Sequence, residues 1–326
     1  MAHFDLPIPE LRAYRPDLAE PDDLDAFWAA TLAETRGHPL AASFVPVDSG
    51  LTVIETFDVT FAGFGGHPIR GWLHLPAGAT DGGARLPAVV QTIGYGGGRG
   101  LAHENVLFAA AGFAQFVMDT RGQGSTWSVS ETADPGNDGS PAHPGYMTRG
   151  ILDPATYYYR RLITDAVRAV EAVRSHPAVD PDRVAVTGGS QGGALSIAVA
   201  ALVRDIAAAA PDVPFLSDFP RAIGLVDTHP YVEIANYLKT HRDHVDRAMR
   251  TLSYVDVSIL GRRATAPALF SVGLMDETTP PSTVYAAFNH YGGPKEIREY
   301  PYNDHEGGEG FHDVVKIAWL RARLGD

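Results

Sequence analysis

Apolar residues follow two alternating patterns along most of this 326-residue chain, and together they predict a layered α/β fold. Short apolar runs, typical of buried strands, occupy residues 86–92, 114–120, 183–187, 267–275 and 296–300. Helices are predicted, from their apolar spacing or length, over residues 104–111, 160–175, 193–203 and 311–324. Strands that alternate with helices predict a mostly parallel, twisted sheet with helices on both faces.

The N-terminal part of the chain has a different pattern. Apolar residues at helical spacing predict a helix over residues 22–35, within an N-terminal helical extension that we place at residues 1–50. Residues 51–61 alternate between apolar and polar side chains, and residues 69–75 follow after a glycine-rich turn. This pair is typical of an antiparallel hairpin, which we expect at the start of the sheet.

Two long segments do not follow the alternation of strands and helices. Residues 126–159 are rich in Gly, Pro, Asp and Ser, whereas residues 212–263 mix aromatic residues, prolines and charged helical turns. Both begin after a strand, on the edge where open α/β sheets bind ligands. We predict a single domain over residues 1–326, in which these two excursions are lids or assembly surfaces.

Composition and charge narrow the possible partners. The hydrophobic fraction of 45% and the charged fraction of 20% are ordinary for a globular protein. With 39 acidic and 26 basic residues the formal charge is −13, which argues against nucleic acids and anionic membranes and favours a small neutral or cationic substrate. The chain has no cysteine, so disulfides, a thiolate nucleophile and cysteine metal sites are excluded.

From the first residues of the sequence we expect no secretion signal. It lacks the basic start and the apolar run of a secretion signal. The longest apolar stretches also stay well below the ~18 to 20 residues that span a bilayer. We therefore expect a soluble, cytoplasmic protein.

The strongest chemical motif is the sequence GGSQGG at residues 188–193, which contains G-x-S-x-G and lies between a predicted strand and a predicted helix. In that context a serine sits on a tight turn and projects above the sheet, so we predict Ser190 as the nucleophile. The backbone N–H of Gln191 and the start of the helix point toward the same space, where negative charge develops.

A serine nucleophile needs a base that is oriented by an acid, and in this class of fold the chain order is Ser, then Asp or Glu, then His. Asp276 ends the strand predicted at residues 267–275, so its carboxylate emerges at the same edge as Ser190. His305 follows the strand at residues 296–300 and precedes the last helix. We predict Asp276 as the acid and His305 as the base.

Competing residues are weaker candidates for these roles. Glu277 and Asp304 are adjacent carboxylates, and Asp246 and Asp256 lie inside an excursion. His290 precedes the last predicted strand, and His312 lies inside the last predicted helix. His241 and His244 are helical i, i+3 neighbours, which a solvated helix face explains better than a metal pair, since no third ligand is evident.

Two further loops are expected to support the site. The glycine-rich loop after residue 92 is where α/β-hydrolases supply a second oxyanion donor, and we predict the backbone N–H of Tyr95, with its ring as a pocket wall. A phosphate cradle is disfavoured because no lysine follows these glycines. In the sequence RGQG at residues 121–124, we expect Arg121 and Gln123 to be structural supports rather than participants in the chemistry.

Three signatures together resemble carbohydrate esterase family seven, the acetyl xylan esterases and cephalosporin C deacetylases. They are RGQG at residues 121–124, GGSQGG at residues 188–193, and His305 followed by Glu306. The likeness extends to DVPFL at 212–216, THPY at 228–231, SVGLMD at 271–276, PPST at 280–283 and PYN at 301–303. The match therefore runs over nearly the whole chain.

The resemblance implies an α/β-hydrolase fold and hydrolysis of short acyl esters, chiefly acetyl, from sugars and cephalosporin C. It implies Ser190, Asp276 and His305 as the triad, and Phe215 and Pro230 as residues that line a small acyl pocket. It also implies a hexamer, hydrogen peroxide as a possible second nucleophile, and no metal or organic cofactor.

Two other functions remain open from the sequence. The same triad serves peptidases and acyl-peptide hydrolases, although no repeat of an accessory propeller domain is visible. A non-catalytic binding protein with this fold is the other alternative, and it is disfavoured because such proteins tend to lose a triad member, whereas all three residues are present here.

Overall fold

A mixed nine-stranded sheet forms the centre of the computed structural model, which describes residues 4–135, 140 and 142–325. The strands are β1 (Ser43–Val47), β2 (Ile54–Ala62), β3 (Pro68–Pro76), β4 (Leu86–Thr92), β5 (Ala114–Met118), β6 (Val179–Gly189), β7 (Ala208–Asp212), β8 (Ala268–Gly273) and β9 (Lys295–Tyr300). Their spatial order is β1-β2-β3-β5-β4-β6-β7-β8-β9. The first three strands and β5 pair antiparallel, and all other pairs are parallel.

Helices follow most of the parallel strands, as the alternating pattern predicts. They are α1 (Ile8–Ala13), α2 (Leu24–Arg36), α3 (Leu107–Ala110), α4 (Tyr158–Arg174), α5 (Gln191–Leu202), α6 (Phe219–Leu225), α7 (Tyr231–Thr240), α8 (Val245–Ser253), α9 (Val257–Leu260), α10 (Pro281–His290) and α11 (Glu309–Leu324). None of the helices in the described residues is long and apolar enough to cross a membrane.

Both faces of the sheet are buried, and consecutive residues of one strand supply the two cores. On β4, Ala88 and Val90 join the large core that includes α4 and α5. Val89, between them, joins a separate core with Phe108 of α3 and Leu320 of α11. Because side chains alternate across a strand, a strand buried on both faces needs a continuous apolar run, which is the pattern that predicted it.

The predicted fold class is confirmed, including the antiparallel hairpin of β2 and β3. Among the elements that were not predicted individually are the edge strand β1, the helix α10 and the central strand β7. The sequence of β7 is AAAPD, and alanine favours helices over strands. Its small side chains allow a close approach of α5, where a Cβ on Gly193 would lie 2.6 Å from the carbonyl oxygen of Asp212.

The two excursions differ in their structure. Residues 212–263 begin at the last residue of β7 and contain the four helices α6 to α9. The other excursion, residues 126–159, includes a short 3-10 helix at Tyr146–Thr148 and ends in the first turn of α4. Part of that excursion, residues 136–139 and 141, lies outside the described residues, as do residues 1–3 of the N-terminal extension.

Candidate active site

Ser190 lies on a sharp turn between β6 and α5, with backbone angles φ 57° and ψ −119°. This left-handed conformation is unusual for a residue with a side chain. The turn fits only because its neighbours are small: a Cβ on Gly188 or Gly192 would lie 2.5 or 2.2 Å from the carbonyl oxygen of Thr92. The Ser190 N–H also donates to the carbonyl oxygen of Asp212 at 2.9 Å. These contacts hold the serine at the carboxyl edge of the sheet.

Asp276 and His305 are hydrogen-bonded, with 2.9 Å between Oδ2 of the acid and Nδ1 of the ring. Asp276 is fully buried and follows β8. Its Oδ1 accepts the backbone N–H groups of Thr278 and Thr279 at 2.7 and 2.8 Å. Its Oδ2 also accepts the hydroxyl of Thr279 at 2.7 Å. Four donors therefore fix the carboxylate with one oxygen facing the imidazole.

The competing acids and histidines have other partners. Asp256 caps α9 through the N–H of Ser258 at 2.8 Å, and Asp304 accepts the N–H of Glu277 at 3.3 Å. Nε2 of His290 lies 2.9 Å from the carbonyl oxygen of Pro16.

His241 and His244 stack at a ring separation of 5.0 Å. The structure also places Tyr237 against this pair, with its hydroxyl 2.8 Å from Nδ1 of His244. Within the described parts of the chain, no cluster of three or more His, Asp or Glu residues could hold a metal ion.

Ser190 and His305 line one cavity with a volume of about 820 Å³. Tyr95 and Pro230 line it as well. The other described lining residues are Gln91, Thr92, Ile93, Gly94, Asn105, Thr126, Trp127, His143, Pro144, Gly145, Gly189, Asp212, Val213, His229, Glu233, Thr278 and Glu306. The cavity brings the predicted nucleophile and the His305–Asp276 pair to a single surface.

The two backbone N–H groups predicted as oxyanion donors belong to segments that adjoin Ser190. Gln191 is the first residue of α5, where a helix leaves its N–H groups without an intrahelical acceptor. A Cβ on Gly94 would lie 4.0 Å from the Cβ of Ser190, which places the loop that carries Tyr95 against the residue predicted as the nucleophile.

The side chains of Gln123 and Gln191 join these two elements in a buried network. Gln191 Oε1 accepts from Gln123 Nε2 at 2.9 Å and from the hydroxyl of Tyr159 at 3.0 Å. Gln191 Nε2 donates to the carbonyl oxygen of Ile93 at 3.0 Å, and Gln123 Oε1 accepts the N–H of Gly96 at 2.6 Å. The network holds the loop on both sides of Tyr95. The sequence analysis assigned Gln191 only a backbone role, although a glutamine in each glycine motif was a visible signal.

Arg121 is fully buried and forms a bidentate pair with Asp165 of α4. Its Nη2 donates to Oδ1 of Asp165 at 2.7 Å, and its Nη1 lies 3.4 Å from Oδ1 of Asp134. Arg121 is absent from the described lining of the cavity. The guanidinium therefore fixes the loop after β5 against α4.

Replacing Arg121 with methionine is expected to lower the free energy of unfolding by ~3 to 5 kcal/mol, because it leaves the buried carboxylate of Asp165 without its charge partner. Urea unfolding followed by circular dichroism measures the effect. The matched control is Arg36→Met, which breaks the exposed Arg36–Glu171 pair and should leave the midpoint nearly unchanged. Equal midpoints for the two variants would contradict the role given to Arg121.

The side chain of Tyr95 is fixed by a carboxylate. Its hydroxyl donates to Oε1 of Glu233 at 2.7 Å. Burial, and to a smaller extent the Glu233 charge, raise the pKa of Tyr95, so the hydroxyl stays neutral. Pro230 lines the cavity, whereas Phe215 is fully buried and is not among the described lining residues. The ring centroid of Phe215 lies 4.5 Å from that of Tyr231 and 6.3 Å from that of Tyr95.

Asp212 is a part of the site that the sequence analysis missed. It ends β7, lines the cavity and accepts the N–H of Ser190 through its backbone carbonyl. Its carboxylate contacts Lys316 and lies 3.0 Å from Nε2 of His312, both on α11. Although burial acts to raise the pKa of Asp212, the Lys316 ammonium and the His312 ring hold it below its usual value. The i, i+4 spacing of His312 and Lys316 was the signal for this contact.

Comparison with known proteins identifies similar sequences over the whole chain. The family model described as acetyl xylan esterase (AXE1) matches residues 1–323. The acetyl esterase Axe7A of Xylanibacter ruminicola is 31% identical over 305 residues, which are 91% of this chain and 66% of that protein. The chain thus spans about two thirds of that relative's length.

Solved structures of acetyl xylan esterases are also similar to this chain over nearly its whole length. The acetyl xylan esterase from Paenibacillus sp. R4 is 38% identical to this chain, with a TM-score of 0.89. The match covers 98% of this chain and 100% of the Paenibacillus chain. Acetyl xylan esterase 1 from Thermoanaerobacterium sp. JW/SL YS485 is 32% identical with a TM-score of 0.87, covering 97% of this chain and 99% of its own. An acylaminoacyl peptidase from Pyrococcus horikoshii, 15% identical with a TM-score of 0.60, covers 84% of this chain and 41% of its own and shares the fold alone.

Proposed function

Because the chain belongs to the acetyl xylan esterase family (AXE1) of α/β-hydrolases and is a carboxylic ester hydrolase of that type, we propose that it removes acetyl groups from acetylated sugars and xylo-oligosaccharides. The observation that carries this proposal is the meeting, at one cavity, of a serine on a strained turn and a histidine bonded to a buried aspartate. That arrangement suits nucleophilic acyl transfer.

In the first step, Ser190 Oγ attacks the acetyl carbonyl carbon while Nε2 of His305 takes the hydroxyl proton. Asp276 orients the ring through Nδ1 and stabilises its charged form. The N–H groups of Tyr95 and Gln191 bind the oxyanion, each worth about 3 to 4 kcal/mol. The tetrahedral intermediate then expels the sugar oxygen, which takes the proton from His305 and leaves as the alcohol.

In the second step, water attacks the acetyl-serine carbonyl and gives one proton to His305. The new tetrahedral intermediate releases acetate, and Ser190 Oγ regains the proton from the ring. The buried network of Gln123 and Gln191 supports both steps because it keeps the two oxyanion donors in place.

The charges that line the cavity support a neutral leaving group. Three carboxylates, those of Asp212, Glu233 and Glu306, belong to residues of its wall; Asp212 is paired with Lys316 outside the lining, and the described lining itself includes no Lys or Arg. Such a wall disfavours a strongly anionic substrate. A volume of about 820 Å³ also leaves room for a sugar ring beside the acetyl group.

The proposal includes two more specific activities, deacetylation of cephalosporin C and perhydrolysis. Cephalosporin C carries an acetyl ester, which the same two steps would remove as acetate. Hydrogen peroxide in place of water would attack the acetyl-serine carbonyl and leave as peracetic acid, so a perhydrolase side reaction uses the same groups. The hexameric assembly implied by the resemblance stays a prediction, which light scattering of the purified chain tests.

The substrate proposal predicts that acetylated xylobiose has a higher kcat/KM than its butyryl counterpart by about tenfold or more, since the extra methylenes must enter the small acyl pocket that the resemblance implies. The same assay with aminoacyl nitroanilides separates an esterase from a peptidase, and we expect only background cleavage of these compounds. Anilide cleavage faster than ester cleavage would favour the peptidase. The same assay tests cephalosporin C as a substrate and hydrogen peroxide as a replacement for water in the second step.

A further inference from the structure

We propose that Trp127 and the shallow cavity beside it form a subsite for the sugar chain of the leaving group, beyond the acetylated sugar. This inference rests on the proposed function and extends it to the part of the substrate that does not react. It starts from Trp127, a large aromatic side chain that is 64% exposed and lines the catalytic cavity.

The indole of Trp127 is held rigidly although it is exposed. Its Nε1–H donates to the carbonyl oxygen of Tyr95 at 2.9 Å. The ring packs on the glycine-rich loop, where a Cβ on Gly97 would lie only 2.3 Å from the indole. Thr126, the preceding residue, is anchored by its hydroxyl to the carbonyl oxygen of Gly96 at 2.7 Å. The exposed part of the ring is therefore presented to solvent in a fixed orientation.

A second, smaller cavity adjoins the catalytic one. It has a volume of about 330 Å³, and its lining residues are Leu101, Glu104, Asn105, Trp127, Ser128 and Val129. Asn105 and Trp127 line both cavities. The smaller cavity is therefore a neighbour of the catalytic one, and its described lining does not include Ser190 or His305. A ligand that occupies both must extend away from the reacting ester.

The chemistry of this wall fits a sugar ring. A pyranose has C–H groups on its faces and hydroxyl groups around its edge. The indole, together with Leu101 and Val129 (51% and 53% exposed), offers apolar surface to the faces. Glu104, Asn105 and Ser128 offer a carboxylate, an amide and a hydroxyl to the edge. An apolar surface that served only to bind another protein would not need to extend to the catalytic cavity, as this one does through Trp127.

Two variants separate the ring of Trp127 from its N–H group. Trp127→Phe removes the hydrogen bond to Tyr95 but keeps an aromatic face, whereas Trp127→Ala removes both. Methyl acetate, which has no sugar, reports the loss of the hydrogen bond. We expect the ratio of kcat/KM for acetylated xylotriose to that for methyl acetate to stay within about twofold in Trp127→Phe and to fall three- to tenfold in Trp127→Ala.

The control is Val53→Ala, an exposed apolar residue that is 68% exposed and belongs to neither cavity wall, and it should leave the ratio unchanged. A Trp127→Ala variant whose ratio equals that of the wild type would overturn the subsite, even if both substrates were hydrolysed more slowly. Dependence of KM on the number of xylose units, present in the wild type and lost in Trp127→Ala, would support it.

A binding measurement tests the subsite without the chemistry. Isothermal titration of unacetylated xylotriose should give a dissociation constant three- to tenfold weaker for Trp127→Ala than for the wild type or Val53→Ala. Equal affinities would contradict the subsite whatever the mechanism. Failure of the proposed function has a different signature, namely that the wild type does not hydrolyse acetylated xylobiose above background or cleaves aminoacyl nitroanilides faster.

Discussion

Replacing Ser190 with alanine is expected to lower kcat/KM for acetylated xylobiose about 10⁵-fold, which corresponds to about 7 kcal/mol of transition-state stabilisation. The variant lacks the atom that forms the acetyl intermediate. The oxyanion donors remain, because the N–H groups of Tyr95 and Gln191 belong to the backbone, so hydrolysis should still exceed the rate in water. Initial rates over a wide range of enzyme concentration measure the loss.

The same helix offers a matched control for this variant. Ser196 on α5 donates its hydroxyl to the carbonyl oxygen of Gly192 at 2.9 Å and does not line the cavity. Ser196→Ala should keep activity within a few-fold of the wild type. A fluorophosphonate probe should label the wild type and Ser196→Ala but not Ser190→Ala. Wild-type rates in a folded Ser190→Ala protein would remove the nucleophile from the proposal.

The elements that carry the candidate triad were predictable because their signals are local. A strand, a glycine-bounded turn and a helix around Ser190 follow directly from the order of small and apolar residues. Asp276 and His305 follow predicted strands, and the carboxyl ends of parallel strands meet at one edge of a sheet. Topology therefore brings together residues that are far apart in sequence, without any knowledge of their contacts.

What remained hidden depends on contacts between distant segments. The Gln123–Gln191 network and the contact of Asp212 with α11 join residues that are 68 and 104 positions apart. The strand β7 was missed because alanine has a low strand propensity. Its alanines are explained by the close packing of α5, which a sequence pattern does not reveal. Trp127 lies in a segment without periodicity, and its orientation comes from a glycine loop some thirty residues earlier. Local patterns mark some of these residues, but they do not indicate which distant residue each one contacts.

Asp276→Asn is the substitution with the second largest expected effect, a fall in kcat of about 10⁴-fold with little change in KM. The structure gives the reason. Oδ1 accepts the two N–H groups of Thr278 and Thr279, whereas Oδ2 faces His305 and the Thr279 hydroxyl. An asparagine keeps its oxygen toward the two N–H groups and turns its NH₂ toward His305. Nδ1 must then accept a hydrogen bond, so the ring proton moves to Nε2. A protonated Nε2 cannot take the proton of Ser190.

Asp304→Asn is the matched control, since Asp304 is the carboxylate that accepts the N–H of Glu277 near the same loop. That variant should retain at least about a third of the wild-type kcat, because its amide oxygen replaces a single acceptor outside the proposed triad. Circular dichroism of both variants verifies folding. If Asp276→Asn kept more than a tenth of the wild-type kcat, the hydrogen bond between Asp276 and His305 would be a structural contact, and the acid of the mechanism would have to be sought elsewhere. The predicted ring tautomer can be checked independently by ¹⁵N chemical shifts of His305, which should exchange their protonated and unprotonated nitrogens between the wild type and Asp276→Asn.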